Sequence, residues 1–451
     1  MKQIQNKYDA LIIGFGKGGK TLAAHLAKQG WQVAVIEKSS LMYGGTCINI
    51  ACIPTKSLVH SAETNVPYLE AINEKNRLVA ALRQRNFEMI DQLPGATVIT
   101  GTASFISARQ VSVRLAGSGE ELIIEAEKII INTGAKPVIP SIPGIEQSQR
   151  IFTSTTLIEH KELPDQLVIV GAGYIALEFA SMYAQFGSKV TVLDRSATFL
   201  ANEDRDIADA IRTILTAKGI HIEQGAQIDK IITGESADTI SYHQGEAQKE
   251  IHASAILVAT GRKPVTGDLN LSVAGVQQDD KGYIQVNEHL QTTAENIWAI
   301  GDVNGGPQFT YISLDDFRII RSQFSSEYES HTALDRKQVA SSLFITPPLA
   351  QVGLREHEAI QQGYRIKVAI LPAAASTRAQ ILRQTDGVLK AIVDADTNQI
   401  LGCTLLCVNS SELINLVQLA MQAGLSYEVL RDTIYTHPSS SEIFNDLFGK
   451  I

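Results

Sequence analysis

Apolar and polar positions follow the same order in two separate stretches of the chain. In the first stretch, the apolar residues 8–13 are typical of a buried strand and are followed at 14–19 by GFGKGG, which opens a helix. A second apolar run at 33–36 then ends at Glu37. This order predicts a strand, a glycine loop, a helix and a second strand that ends in an acid.

The second stretch repeats this order later in the chain. The apolar residues 167–170 precede GAGYIA at 171–176, a helix continues to about residue 186, and an apolar run at 190–193 ends at Asp194. Both acids lie the same number of residues beyond the first glycine of their unit. One glycine match alone is a weak signal, but two matches with the same flanking strand, helix and acid are specific.

Each of these units has the chemistry of a dinucleotide site. The glycines let the backbone approach a pyrophosphate, the helix N-terminus offers free N–H groups, and the acid accepts hydrogen bonds from ribose hydroxyls. The predicted contacts are Gly14, Gly16, Gly19 and Glu37 in the first unit, and Gly171, Gly173 and Asp194 in the second.

Further runs complete the outline of the fold. Apolar residues at 129–131 and 256–259 each lead into a Thr-Gly turn, so we interpret them as strands that close the two nucleotide domains. Residues 296–302 form another strand that ends at Asp302, and the polar residues 233–253 indicate an exposed hairpin. Beyond about residue 335, strands at 388–393 and 400–408 and a helix at 412–423 carry no nucleotide signal.

The patterns together predict an α/β fold with two Rossmann-like dinucleotide-binding domains and an α+β C-terminal domain. Prolines at 137, 140 and 143 mark the first domain boundary. We expect the first dinucleotide domain to cover residues 1–144 and to resume at 266–334. The second dinucleotide domain is expected at 145–265 and the C-terminal domain at 335–451.

Composition excludes several classes of function. The chain has 451 residues, 44% hydrophobic and 19% charged, as expected of an ordinary globular protein. A net charge of −9 argues against a nucleic-acid or anionic-membrane surface. No apolar run reaches membrane-spanning length, the start is polar, and the ten histidines lack metal-ligand spacing, so we expect a cytoplasmic protein without a metal site.

Two of the four cysteines follow the first dinucleotide unit, in the run GGTCINIACIPTK at 44–56. On a regular helix, residues five apart lie about 7.5 Å apart along the axis and on different faces. The neighbouring isoleucines and Pro54 disfavour a regular helix. We therefore expect a distorted backbone that holds Cys47 and Cys52 together as a strained, easily reduced disulfide. The alternative is two buried thiols that never meet.

Other candidate groups lie far from this pair in the sequence. His437 has the chemistry of a base near neutral pH, and Glu442 could orient its other ring nitrogen, although a lone histidine is more often a surface residue. Lys56 and Glu178 are candidates for a buried ion pair, the alternative being two surface charges. The remaining cysteines, at 403 and 407, are expected to be buried apolar side chains.

These ordered motifs resemble the class I flavin disulfide reductases, which include dihydrolipoamide dehydrogenase, glutathione reductase and mercuric reductase. The resemblance covers essentially the whole chain. It implies FAD in the first dinucleotide unit, NADH or NADPH in the second, and a homodimer built by the C-terminal domain. It also implies an enzyme in which the nicotinamide reduces the flavin and the flavin reduces the cysteine pair.

The resemblance assigns roles to individual residues. Cys47 is similar to the thiol that meets substrate, Cys52 to the thiol beside the flavin, and His437 with Glu442 to a base donated by the partner subunit. Lys56 and Glu178 are similar to the pair beside the flavin, and Tyr174 to a nicotinamide gate. The expected FAD contacts are Gly14, Gly16, Gly19, Glu37, Gly45, Thr46, Lys56, Thr133, Gly134, Asp302, Thr310 and Tyr311. The expected NAD(P) contacts are Gly171, Gly173, Tyr174, Ile175, Glu178, Asp194, Arg195 and Gly261.

The expected substrate depends on three segments, at 42–47, 309–316 and 346–348. These segments resemble those of the bacterial reactive-chlorine-resistance flavoproteins. This resemblance implies a small oxidant such as hypothiocyanous acid as the substrate, attacked by a Cys47 thiolate whose pKa is lowered by a helix N-terminus and His437. Three alternatives remain: a dihydrolipoamide dehydrogenase, a copper(II) or mercuric ion reductase, and a redox-sensing flavoprotein without turnover. Asp194 favours NADH, while Arg195 leaves NADPH open.

Overall fold

The computed structural model describes residues 4–451, and both helices and strands occur along their whole length. The helices, numbered in chain order, are α1 Lys17–Lys28, α2 Gly45–Asn49, α3 Cys52–Glu63, α4 Tyr68–Asp91, α5 Ser154–Leu157, α6 Tyr174–Phe186, α7 Arg205–Ala217, α8 Thr310–Phe324, α9 Glu356–Gln361, α10 Thr377–Leu382, α11 Ser410–Gln422, α12 Tyr427–Asp432 and α13 Ile443–Phe448. No helix in this part of the chain is long and apolar enough to cross a membrane.

The strands form four sheets and one short two-stranded ribbon. In chain order they are β1 Lys7–Ile13, β2 Val33–Glu37, β3 Ala96–Phe105, β4 Gln110–Leu115, β5 Glu121–Ile131, β6 Ala135–Pro137, β7 Ile151–Thr153, β8 Gln166–Val170, β9 Lys189–Asp194, β10 His221–Gln224, β11 Ala226–Ile232, β12 Asp238–Gln244, β13 Ala247–Ala253, β14 Ala255–Val258, β15 Arg262–Pro264, β16 Ile297–Ala299, β17 Ser341–Leu343, β18 Leu349–Gly353, β19 Ile366–Pro372, β20 Val388–Asp394 and β21 Ile400–Leu406.

The first sheet combines parallel and antiparallel pairing. Strands β3, β2, β1, β5 and β16 are neighbours in that order and run parallel, while β4 bridges the outer halves of β3 and β5 in antiparallel fashion. The central strands are buried on both faces, as their continuous apolar runs predict. Their carboxyl ends meet at one edge, which therefore collects the loops that follow β1, β2, β5 and β16.

The second sheet is wholly parallel, in the order β10, β9, β8, β14 and β7. Beside it lies the antiparallel sheet β11–β12–β13, which contains the predicted hairpin. The expectation that this hairpin is exposed is wrong for β12. Ile240 and Tyr242 are buried because they pack on the apolar cluster that includes Val168 of β8.

The C-terminal residues form a five-stranded antiparallel sheet in the order β17, β18, β21, β20 and β19, covered by α11 and α13. The expected strands at 388–393 and 400–408 and the helix at 412–423 correspond to β20, β21 and α11. The α/β fold class, with two doubly wound units and an α+β C-terminal part, is confirmed. The division of the chain at residues 144, 265 and 334 stays a prediction.

Candidate active site

A cavity of about 620 Å³ opens at the carboxyl edge of the first sheet. This volume lies in the range of small-molecule and cofactor sites. Most of the residues expected to contact FAD line this cavity: Gly14, Gly16, Glu37, Gly45, Thr46, Thr133, Gly134, Asp302 and Thr310. Cys47 and Cys52 line it as well. The structure thus brings the first dinucleotide unit and the cysteine pair together.

The glycine loop leaves no room for side chains on its inner surface. Gly14 has a φ of +104°, and a Cβ atom there would lie 2.3 Å from the backbone oxygen of Asn132. A Cβ atom on Gly16 would lie 2.5 Å from Asn132 Oδ1. The same Oδ1 accepts a hydrogen bond from the Gly19 N–H at 3.0 Å, so Gly19 supports the loop from behind.

Asn132 was missed as a functional residue from the sequence. It follows β5 directly, and its Nδ2 donates to the backbone oxygen of Ile300 at 2.8 Å. One side chain therefore ties the glycine loop to the segment before Asp302. Its position at a strand end before a Thr-Gly turn was the available signal.

Two acids and one hydroxyl offer polar atoms toward the cavity. Glu37 accepts from the N–H groups of Phe15 and Ser39, and burial raises the pKa of its carboxyl. Burial also raises the pKa of Asp302, against the opposing charge of Arg262. Thr133 Oγ1 is buried and has no hydrogen-bond partner in the described part of the chain. A dinucleotide with polar groups along its length would satisfy these atoms, so the residues present fit FAD.

The two cysteines lie on either side of a break in the helical backbone. Helix α2 ends at Asn49, Ala51 has φ −138° and ψ −105°, and α3 begins at Cys52. Both cysteines are free, half-buried thiols that line the same cavity, and each shifts the pKa of the other. The expected distortion is confirmed, and the alternative of two thiols that never meet is wrong.

The two thiols shift each other's pKa in opposite directions. The interaction between them lowers the pKa of Cys52 and raises that of Cys47. Thr310 Oγ1 lies 3.5 Å from the Cys52 sulfur and lowers its pKa further, as does Lys56. The expectation that the Cys47 pKa is lowered involves a helix N-terminus and His437 of the partner subunit, and it stays a prediction. The thiolate forms first on Cys52, at the N-terminus of α3, where the helix dipole favours it.

Lys56 and Glu178 form the expected ion pair. Lys56 Nζ lies 2.7 Å from Glu178 Oε1, with side-chain exposures of 34% and 10%. Lys56 also lies over the ring of Phe344, 4.6 Å from its centroid. The pair links α3 to α6, so it joins the cysteine segment to the second dinucleotide unit. Neither residue lines the cavity itself.

A second cavity of about 630 Å³ lies beside the second glycine loop. Gly173, Tyr174 and Asp194 line it, as predicted. Other expected NAD(P) contacts do not line this cavity. Gly171 packs under the loop against Ala259, and Ile175 lines the first cavity. Arg195 and Gly261 are exposed and lie outside the lining of the second cavity. Phe309, the residue before α8, lines both cavities and so marks where they meet.

Tyr174 is held by residues that the sequence motifs did not identify. Its hydroxyl donates to Glu203 Oε1 at 2.7 Å, and Arg355 of the C-terminal part donates to the same carboxylate at 2.9 Å. Burial, followed by the charge of Glu203, raises the pKa of Tyr174. The position of this expected gate thus depends on a residue more than 150 positions away, which no local motif shows.

His437 and Glu442 form the expected dyad. His437 Nδ1 lies 2.7 Å from Glu442 Oε2, and the histidine side chain is 69% exposed. Neither residue lines the cavity that contains Cys47 and Cys52 of the same chain.

Tyr311, an expected FAD contact, does not line the first cavity, because its hydroxyl turns away to donate to the backbone oxygen of Ala340. Cys403 and Cys407 are buried, as expected, and burial raises both pKa values.

The sequence also matches known proteins over nearly its whole length. Residues 8–316 match the pyridine nucleotide-disulphide oxidoreductase family, and residues 339–448 match its dimerisation domain. A probable pyridine nucleotide-disulfide oxidoreductase RclA of Escherichia coli is 51% identical over 99% of this chain and 100% of that protein. A mercuric reductase of Staphylococcus aureus is 33% identical over 96% of this chain and 81% of that protein.

The similarity extends to solved structures. The Cu(II) complex of the HOCl-induced flavoprotein disulfide reductase RclA from Escherichia coli has a TM-score of 0.95 at 50% sequence identity, and the match covers 99% of each chain. The structure of HOCl-induced flavoprotein disulfide reductase RclA from the same organism has a TM-score of 0.94 and covers 98% of this chain and 99% of that one.

The unpaired hydroxyl of Thr133 gives a first prediction. We expect Thr133→Val to weaken FAD binding about five- to tenfold, because one hydrogen bond contributes about 1 kcal/mol. The dissociation constant follows from the fluorescence of released FAD. The control is Ser188→Ala, which removes another buried hydroxyl without a partner, outside both cavities. Equal FAD affinity in the two variants would refute a contact between Thr133 and the cofactor.

A second prediction concerns the protonation of Cys52. Removing the hydroxyl in Thr310→Val takes away a donor to the sulfur, so the Cys52 pKa rises by about one unit. The pH profile of Cys52 alkylation by iodoacetamide, followed by mass spectrometry in reduced Cys47→Ser protein, then moves to higher pH. Thr55→Val is the matched control, since Thr55 Oγ1 donates to the Cys52 backbone oxygen and not to the sulfur. An unmoved profile in Thr310→Val would contradict the assignment.

Proposed function

This chain belongs to the pyridine nucleotide-disulphide oxidoreductase family, and from that premise we propose that it reduces hypothiocyanous acid or a related reactive chlorine or thiocyanate oxidant through Cys47 and Cys52. The chain is an oxidoreductase similar to the RclA flavoprotein disulfide reductase, and the expectation of FAD and NAD(P)H as cofactors is confirmed by the family. The observation that carries the proposal is the pair of free thiols, Cys47 and Cys52, that lines the first cavity.

Cys47 is the proposed nucleophile, and Cys52, whose sulfur lies 3.5 Å from Thr310 Oγ1, is the proposed resolving thiol. The Cys47 thiolate attacks the sulfur of hypothiocyanous acid, an S–S bond forms, and hydroxide leaves as water. The Cys52 thiolate then attacks the Cys47 sulfur and releases thiocyanate. One oxidant and two thiols thus give a disulfide, thiocyanate, water and a proton. FAD and NAD(P)H, when bound, supply the electron pair that returns the disulfide to two thiols.

Cys47 needs a base, because its own pKa is raised in the single chain. We propose that His437 of the partner subunit takes this proton, oriented by Glu442 as in the dyad described above. The match of residues 339–448 to a dimerisation domain supports a homodimer. The exposure of the His437 imidazole also supports this role, since an exposed base is free to enter the site of another subunit.

The remaining proposed roles are assigned by the cavity that each residue lines or adjoins. The residues lining the first cavity bind FAD, and Lys56 with Glu178 lies beside it and links it to the second unit. Asp194 lines the second cavity and favours a free ribose hydroxyl, hence NADH, while Arg195 is exposed beside it. Tyr174 covers the nicotinamide end of the same cavity near Phe309.

Reduction of copper(II) is the second candidate. It is favoured by the similarity to an Escherichia coli structure described as a Cu(II) complex. A cupric ion would take electrons one at a time from the thiol pair and would act as substrate. The dihydrolipoamide dehydrogenases are more distant, at 30% identity for the Geobacillus stearothermophilus protein, which covers 96% of this chain and 94% of that protein.

A steady-state comparison tests this proposal. NAD(P)H oxidation is measured with hypothiocyanous acid, with cupric ion, and in the reverse direction with dihydrolipoamide and NAD⁺. We expect the highest kcat/KM with hypothiocyanous acid and a loss of about a hundredfold or more in Cys47→Ser, because the nucleophile is gone. Cys403→Ser is the matched control, since that thiol is buried in the C-terminal sheet. Full hypothiocyanous acid reduction by Cys47→Ser would refute the mechanism.

A further inference from the structure

Lys20 is a buried lysine directly beneath the segment that carries Cys47. It lies in α1, just after the first glycine loop, and is only 4% exposed. Its Nζ donates to the backbone oxygen of Gly44 at 3.3 Å and to Asn86 Oδ1 on α4. Gly44 is the residue before α2, and Cys47 is in the first turn of that helix. Lys20 therefore contacts the start of the element that presents Cys47.

The charge of Lys20 has no carboxylate partner. Buried ammonium groups are rare and are normally paired. The other buried lysines follow this rule: Lys75 pairs with Glu159 at 2.6 Å, and Lys390 pairs with Glu356 at 2.6 Å and with two aspartates. Within residues 4–451, the acceptors of Lys20 are a backbone carbonyl and an amide, which are both neutral. A positive charge is thus left uncompensated inside the protein.

Side chains also hold residues 43–45, the segment between Lys20 and Cys47, in a fixed position. Asn49 Nδ2 donates to the backbone oxygens of Tyr43 and Gly45, at 3.0 and 2.9 Å. Arg83 of α4 donates to Asn49 Oδ1 at 2.8 Å. With Lys20 on Gly44, three consecutive carbonyls before Cys47 are held by side chains. The distance between the buried charge and the Cys47 thiol is therefore fixed.

We propose that Lys20 is a positioning residue whose fixed positive charge favours the thiolate form of Cys47 when that thiol attacks substrate. The proposal rests on the role of Cys47 as nucleophile. A thiolate on Cys47 supplies the negative charge that Lys20 lacks, and an uncompensated charge inside the protein acts strongly because little water screens it. Lys20 thus opposes the burial and the neighbouring Cys52 thiolate that disfavour ionisation of Cys47.

The electrostatics of the neighbouring groups agree with this role. Three groups from neighbouring elements act on Cys47: the Cys52 sulfur of α3, the Thr310 hydroxyl of α8 and Lys20 of α1. The last two lower the Cys47 pKa. Burial, and then the charge of Lys17, lower the pKa of Lys20 to about 8, while Cys47 raises it. Lys20 is therefore a cation at neutral pH. Arg83 also faces the segment from α4, but its Nε donates to Asn49.

The first variant removes the charge and retains a hydrogen-bond donor. In reduced, FAD-loaded protein carrying Cys52→Ser, the rate of Cys47 alkylation by iodoacetamide is measured against pH. We expect Lys20→Gln to raise the apparent pKa of Cys47 by about one unit, as expected for the loss of a nearby opposite charge. Lys75→Gln is the matched control: it removes a buried lysine that is paired with Glu159, so the Cys47 profile should not move.

The second variant neutralises the charge without changing Lys20. Asn86→Asp keeps the oxygen that accepts from Lys20 and places a carboxylate beside the ammonium group. We expect the Cys47 pKa to rise in this variant as well, although the contact itself is strengthened. If Lys20 acted through packing alone, the Cys47 pKa would not rise in Asn86→Asp. Asn86→Asp also decides the question by itself if Lys20→Gln fails to retain FAD.

The results of these measurements test the role of the Lys20 charge separately from the proposed function. A rise in both variants, absent in Lys75→Gln, supports the charge of Lys20 as the cause. An unmoved Cys47 profile in both variants, or a rise in Lys20→Gln without one in Asn86→Asp, overturns the proposal. Alkylation is independent of oxidant turnover, so a failure of hypothiocyanous acid reduction would be recognised separately and would leave this measurement intact.

Discussion

The chemistry of this protein depends on the proximity of two thiols, Cys47 and Cys52, each of which shifts the pKa of the other. This proximity requires the backbone break at Ala51, because a continuous helix would turn the two side chains to different faces. Cys52 has a lowered pKa and lies beside Thr310. Cys47 has a raised pKa, so it depends on a base and, in our proposal, on the charge of Lys20.

The surrounding fold brings several elements to this pair of thiols. The parallel strands of the first sheet end at one edge, where the glycine loop, Thr133 and Asp302 line one cavity with the cysteines. The Lys56–Glu178 pair connects this cavity to the second dinucleotide unit, and Phe309 lines both cavities. The two cavities therefore meet close to the cysteine segment.

Much of this architecture could be predicted because its signals are local. Glycine loops, strand ends and the spacing of the cysteines are visible within short runs, and each is in the expected place. Contacts between distant elements could not be predicted. Lys20 is an unremarkable polar position in a helix until Gly44 and Asn86 are seen around it. The opposite pKa shifts of Cys47 and Cys52 could not be predicted either, because they depend on how the folded chain places the two sulfurs and Thr310.

Counting thiols in the FAD-loaded protein tests the central claim most directly. After oxidation in air and denaturation, two of the four cysteines, Cys403 and Cys407, should react as thiols, and peptide mapping should show a Cys47–Cys52 disulfide. One equivalent of NAD(P)H, added anaerobically before denaturation, should raise the count to all four. A pair that stays reduced in air, or a disulfide that NAD(P)H leaves intact, would contradict the account.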